Sequence, residues 1–221
     1  MAEQKDVEHD ASWFKSRISR HVHAMLSLAW PAMLSRVGII LLGITDTVLV
    51  GHYSTHELAY LNLGSSTLIL LVLVMTIGLF FGTLVHVAHA FGRKDFKVCG
   101  QVWKRSLPFA AGVGLLVIVI FIPSEFILKV MGQTDELSRE AGRIMFVLSF
   151  GIIGNLFYVN CVYFLEAVGR GQVAIYVMIF ANIANVIMSY ILIYGMWGFP
   201  EMGALGSATV TTILRLTMGI G

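Results

Sequence analysis

Charge is what this chain has least of. Asp, Glu, Lys and Arg make up 13% of its 221 residues, against 57% hydrophobic residues. Soluble domains carry about a quarter charged residues, so an ordinary water-soluble domain is excluded. Cysteine is scarce as well. Cys99 and Cys161 fall in a basic loop and an apolar run, which suggests neither a disulfide framework nor a zinc site. Hydrolytic signatures are missing: there is no Gly-x-Ser-x-Gly elbow and no His-Glu-x-x-His. A membrane-embedded hydrolase using Asp46, or His86 with His89, therefore has little to build on. The alternating pattern of a membrane barrel is absent too. The first 23 residues are polar with four acids, unlike a cleavable signal peptide.

Long apolar runs are what remain. Runs of roughly twenty residues cross a ~30 Å hydrocarbon core as helices, which satisfy their own backbone groups. The expected fold is an all-α polytopic membrane protein, with a polar segment over 1–23 and one transmembrane unit over 24–221. Spans are expected near Ala24–Val50, Leu58–Phe91, Leu107–Met131, Ile144–Val168 and Val173–Met196, with a sixth helix starting near Ala204. That sixth helix reads as truncated, and the chain as half of something larger. Pro31 lies near the start of the first span and is expected to bend it. Gly92–Arg105 reads as a basic loop. Gly78 and Gly82 have the small-xxx-small spacing of a helix contact face, and chance in a glycine-rich chain explains them equally well. Trp197, Phe199 and Pro200 suit an interfacial anchor.

Basic residues sort by side. Lys5, Lys15, Arg17, Arg20, Arg93, Lys94, Lys97, Lys104, Arg105 and Arg170 fall on one side, and Lys129, Arg139 and Arg143 on the other. The positive-inside rule puts the N-terminus in the cytoplasm. Arg36 and Arg215 remain within helices.

Asp46 carries the most chemistry. An ionisable group at a helix centre in lipid costs about 2.5–3.5 kcal/mol on an insertion scale and is usually kept for a task. A proton, a metal cation or a charged substrate could meet it; an interfacial acid reaching water is the plainer alternative. Ser35 shares its face, whereas Arg36 lies ~15 Å along the axis, too far for a direct pair. Asn182, Asn185 and Ser189 fall within about 60° of one another and form one polar stripe. Interhelical hydrogen bonding and cation or proton coordination both account for it. Ser207 and Thr211 share a face, where bonding back to their own helix is the simpler reading. Glu166, with Asn155 on its face, reads as an acid reaching water near the end of the fourth span. His86 and His89, with no third ligand, read as an interfacial pair, and His52 and His56 sit in a turn.

In order and spacing the residues resemble the N-terminal half of a multidrug and toxic compound extrusion (MATE) transporter. The resemblance is carried by Ala29-Trp30-Pro31, Asp46 to Gly51, Glu57-Leu58-Ala59, Phe91-Gly92, Phe164 to Arg170, Asn185 to Gly195 and Pro200 to Ala208. It implies the first of two six-helix lobes in a twelve-helix inner-membrane antiporter. Such a protein exports organic, often cationic, drugs in exchange for protons or sodium ions. By motif position Asp46 is the coupling-ion residue, with Asn185, Ser189 and Ser207 as partners and a sodium site at Asp46 and Asn185. Arg36, Glu166, Asn182 and Pro31 fall at cavity or gating positions. The chain departs from the pattern at Ser189, where Asn or Asp is usual, and at Arg36 and His89, where Gln is usual. No cofactor and no nucleic acid are expected. The expected partners are lipids, a small organic cation, and a second lobe or second copy. A flippase for lipid-linked oligosaccharides or lipids in the same superfamily would need more cations in its cavity, towards which Arg36 and Arg215 lean. A non-transporting membrane subunit or fragment is the third reading.

Overall fold

The structure, a computed structural model, describes residues 2–220. Gly221, the last residue of the expected sixth helix, lies outside them. The helices are α1 (Ala2–Tyr53), α2 (Thr55–Met75), α3 (Phe81–Gly92), α4 (Phe96–Phe121), α5 (Ser124–Val130), α6 (Asp135–Ala167), α7 (Gln172–Tyr194) and α8 (Gly203–Ile220). There is no strand among the described residues. A π-helical turn, Thr76–Phe80, joins α2 to α3. Among the described residues four helices are long and apolar enough to cross a membrane: Ala29–Tyr53 of α1, then α4, α6 and α7. The bundle is apolar on its outer surface as well as in most of its core. Met25, Trp30, Ile40, Tyr176 and Phe180 face outward, while Asp46, Asn160, Asn185, Ser189 and Ser207 are buried. Lipid is the solvent that suits such a surface.

Several boundaries move. α1 runs unbroken through Ala24 and Pro31, so the first 23 residues continue the helix as far as they are described. The expected basic loop is mostly helix: α4 starts at Phe96, and only Arg93 to Asp95 turn. Asp95 caps it, its Oδ1 accepting from the Val98 amide at 3.2 Å, which satisfies one of the four free N–H groups of a helix start. Cys99 is therefore a buried helical residue, not a loop residue. The third span ends ten residues earlier than expected, because the chain breaks before Pro123 and continues as α5.

α6 is the central post and is packed by α8, α4, α2 and α5. Its seam with α8 depends on glycine. A Cβ at Gly154 would meet the Arg215 carbonyl oxygen and would stand 2.5 Å from Leu216 Cα. Gly78 and Gly82 have open space around them, so the small-xxx-small pair forms no contact face within the described residues.

A second tie fixes the start of α8. Glu57 Oε2 accepts from the Ala204 amide at 2.9 Å, an anion on a helix N-terminus. Gly203 has φ +53°, and a Cβ there would sit 2.8 Å from Glu57 Oε2. Only glycine fits both the left-handed backbone and the carboxylate. Glu57→Ala should cost about 1–2 kcal/mol of stability, read as a lower melting temperature in detergent. Glu57→Gln, which keeps an acceptor, should cost less; equal losses would argue against the contact.

Candidate functional site

Three helices meet at Asp46. α7 approaches α1 closely at Gly38, where any Cβ would collide with the Met178 side chain. The Asn182 amide locks this approach by donating to the Gly38 carbonyl at 3.1 Å and to the Met178 carbonyl at 2.8 Å. In lipid such a bond matters, since the amide has no water to turn to. Asn182 is thus spent in the α1–α7 seam and does not reach the carboxylate. One turn further along the same stripe, Asn185 and Ser189 do.

The Asp46 side chain is buried, 8% exposed, so it does not reach bulk water. Thr211 Oγ1 donates to Oδ2 at 2.7 Å. Asn185 Nδ2 donates to Oδ1 at 3.2 Å, and Ser189 Oγ lies 3.5 Å from the same oxygen. Asn185 must turn its NH₂ to the carboxylate, because its carbonyl oxygen would repel it. That leaves Asn185 Oδ1 buried with no hydrogen-bond partner. Ser207, fully buried, adjoins the carboxylate, and its Oγ has no partner within full hydrogen-bond distance. Buried oxygens left unpaired cost about 1–3 kcal/mol each. Here they surround a carboxylate held only by neutral donors. The cluster is rich in oxygen and every group in direct contact with the carboxylate is neutral, which is the chemistry that takes up a small cation or a proton.

Thr211 is the ligand that sequence reasoning assigned elsewhere. Its hydroxyl does not fold back onto α8 but makes the shortest bond to Asp46. The signal was present: Ser207, Thr211 and Arg215 stand at i, i+4 and i+8, one stripe on α8. Arg215 joins Asp46, Thr211, Asn155, Tyr158 and Asn62 in lining a cavity of about 500 Å³. That is within the 300–1,000 Å³ typical of small-molecule sites.

The other sequence candidates gather elsewhere. Arg36 lies with Glu166, Nη2 to Oε1 3.8 Å, and its guanidinium carbon stands 5.2 Å from the centre of the Tyr163 ring. The Glu166 side chain is 12% exposed, so it is a half-paired, largely buried acid. Pro31 sits near the same end. A Cβ on Gly171, in the turn after α6, would be 3.4 Å from Pro31 Cβ and 3.6 Å from Glu166 Cγ. Pro31 also lines an open apolar groove with Trp30, Gln172 and Tyr176. Fifteen residues, about 22 Å of helix, separate it from Asp46. Ser35 bonds to the Pro31 carbonyl at 2.9 Å. His86 Nδ1 lies 2.8 Å from the Gly82 carbonyl of its own helix. No group of three or more His, Cys, Asp and Glu side chains that could hold a metal ion occurs among the described residues.

Comparison with known proteins gives a consistent picture. A family model described as MatE matches residues 31–191. A probable multidrug resistance protein NorM from Caulobacter vibrioides is 31% identical over 199 residues, covering 89% of this chain and 42% of the relative. An outward-facing structure of a multidrug resistance MATE family transporter of the MOP superfamily superposes with a TM-score of 0.79 at 21% identity, over 88% of this chain and 42% of that one. A MOP superfamily transporter from Pyrococcus furiosus, described as having a binding pocket of reverse polarity, gives 0.79 at 20% identity over the same shares. The chain spans less than half the length of the relatives it matches.

Proposed function

Because the chain belongs to the MatE family, a family of integral membrane transporters and not of enzymes, we propose that it forms the ion-binding lobe of a cation-coupled multidrug exporter. The observation that carries this reading is the Asp46 carboxylate, withdrawn from water and held by Thr211, Asn185 and Ser189. In the proposed cycle a proton or a sodium ion loads Asp46 from outside and neutralises it. Neutralisation removes the penalty of a bare charge in a low-dielectric site and favours a different helix arrangement, which releases an organic cation. Coupling requires that the ion bind the two arrangements with different affinity. The working transporter needs a second half beyond this unit over 24–221, either a second lobe or a second copy. The sorting of lysine and arginine supports an inner-membrane protein with a cytoplasmic N-terminus.

A flippase would need a row of cations in the cavity. Arg36 is engaged at Glu166, so Arg215 stands there without it, and the exporter reading is better supported.

Dye efflux driven by an imposed pH or sodium gradient tests the proposal. The Thr211 bond stabilises the ion-free carboxylate, and a hydrogen bond to a charged group is worth about 1.5–3 kcal/mol. Thr211→Val should therefore hold a coupling proton more tightly, lowering its half-maximal concentration about tenfold, whereas a coupling sodium ion would lose an oxygen ligand and bind more weakly. Ser207→Ala, which removes no completed bond, should shift the half-maximal concentration less than about twofold. An unchanged Thr211→Val would count against the site.

A further inference from the structure

The cavity beside Asp46 has a second pole. Arg215 lines it from α8, one turn past Thr211. Its methylene stem lies against α6, where a Cβ on Gly151 would be 3.3 Å from Arg215 Cδ. Among the described residues none of the ion pairs involves Arg215. Asp46 acts on it through the cavity at longer range. An arginine inside a membrane bundle is expensive to keep, and one without a carboxylate in contact keeps its planar fork of donors free.

Charge accounting then changes what the cavity selects. With Asp46 alone the empty site would be negative and would suit any organic cation of the right size. With Arg215 in the same cavity the empty site is close to neutral overall but split into two poles. A plain cation gains at Asp46 and loses at Arg215. A molecule carrying both a cation and a carboxylate gains at both, since guanidinium binds carboxylate through two parallel bonds. Loading the coupling cation on Asp46 removes the attraction for the cationic end of either molecule and leaves Arg215 to repel it.

We propose that Arg215 is a specificity-determining residue that makes the cavity prefer zwitterionic, carboxylate-bearing organic cations over simple ones. This rests on the exporter reading and names its substrate class. Asn155 also lines the cavity and offers a neutral amide that does not upset the balance.

The test uses two dyes that differ only at the carboxylate. Rhodamine B has a ring cation and a free carboxylate; its ethyl ester is the same cation with that group masked. Binding is measured by fluorescence anisotropy on the full-length protein in nanodiscs. The unsubstituted protein should bind the acid at least about fivefold more tightly than the ester. Arg215→Gln should weaken the acid about tenfold and leave the ester unchanged or slightly tighter, and Arg215→Lys should keep part of the preference. Equal affinity of the unsubstituted protein for acid and ester overturns the proposal without any variant. So does a parallel loss of both dyes in Arg215→Gln. Asp46→Asn judges the underlying reading separately: it should weaken both dyes. If both bind it unchanged, the Asp46 site is wrong, while the acid-to-ester ratio still decides the role of Arg215.

Discussion

Asp46→Asn should abolish gradient-driven efflux while leaving the protein folded and somewhat more stable. The substitution keeps the shape of the side chain. Thr211 Oγ1 and Asn185 Nδ2 both donate to Asp46, and an amide oxygen can still accept from one of them. The charge disappears, and with it the cost of an incompletely neutralised carboxylate away from water, which is several kcal/mol. Folding should gain, so the melting temperature in detergent should rise or hold. Coupling should fail, because a neutral side chain no longer distinguishes loaded from empty. Coupling free energies of about 1–3 kcal/mol correspond to 5–150-fold, so efflux should drop about 100-fold, to the level of vesicles without the protein. A low melting temperature together with lost efflux would instead mean that Asp46 serves the fold.

The second large effect concerns the α6–α8 seam. Gly154→Val places carbon into the backbone of α8, beside the Arg215 carbonyl and 2.5 Å from Leu216 Cα. Gly219, on the other side, has its own Cβ position 2.6 Å from the Gly154 carbonyl oxygen. No flexible side chain is there to move aside. The helices would have to part, and α8 would carry Ser207, Thr211 and Arg215 away from Asp46. The expected cost is about 3 kcal/mol or more, a large fraction of the stability of a typical domain. Folded yield and melting temperature should both fall steeply. Gly78→Val, which meets open space, should stay within about 0.5 kcal/mol. Similar losses in the two variants would remove the distinction drawn between the glycine pairs.

How much of this was legible depended on which physical rule was strong enough to act alone. Hydrocarbon penalises polar side chains heavily, so Asp46 and the stripe through Asn185 and Ser189 were visible as a site before any helix was placed. The same rule did not separate Asn182, one turn earlier, because an amide on that face is equally satisfied by a neighbouring helix's carbonyl, here that of Gly38. Thr211 was hidden for a related reason. A hydroxyl always has a carbonyl of its own helix within reach, and only the proximity of α8 to α1 makes the carboxylate the better acceptor. The Arg36–Glu166 approach joins residues 130 apart in sequence and could not be read without knowing that these two side chains reach towards each other from α1 and α6. Gly78, Gly82 and Gly154 look alike as glycines within apolar helical runs. What separates them is whether a backbone lies opposite, which spacing alone does not encode. The stretch from Gly92 to Arg105 was misread because its charges resemble a loop's. A single cap at Asp95 and an apolar face including Cys99 were enough to make it helical. The family resemblance supplied the position of Asp46, its α7 partners and Ser207, and it left out Thr211, whose hydroxyl makes the shortest bond to Asp46.

Ion release on substrate binding tests the central idea most directly. Purified full-length protein, in weakly buffered solution with a pH indicator and a sodium electrode, is mixed with a saturating organic cation. One proton or one sodium ion per protein should be released, and Asp46→Asn should release none while remaining folded. Undiminished release from Asp46→Asn would place the exchanged cation elsewhere and contradict the account.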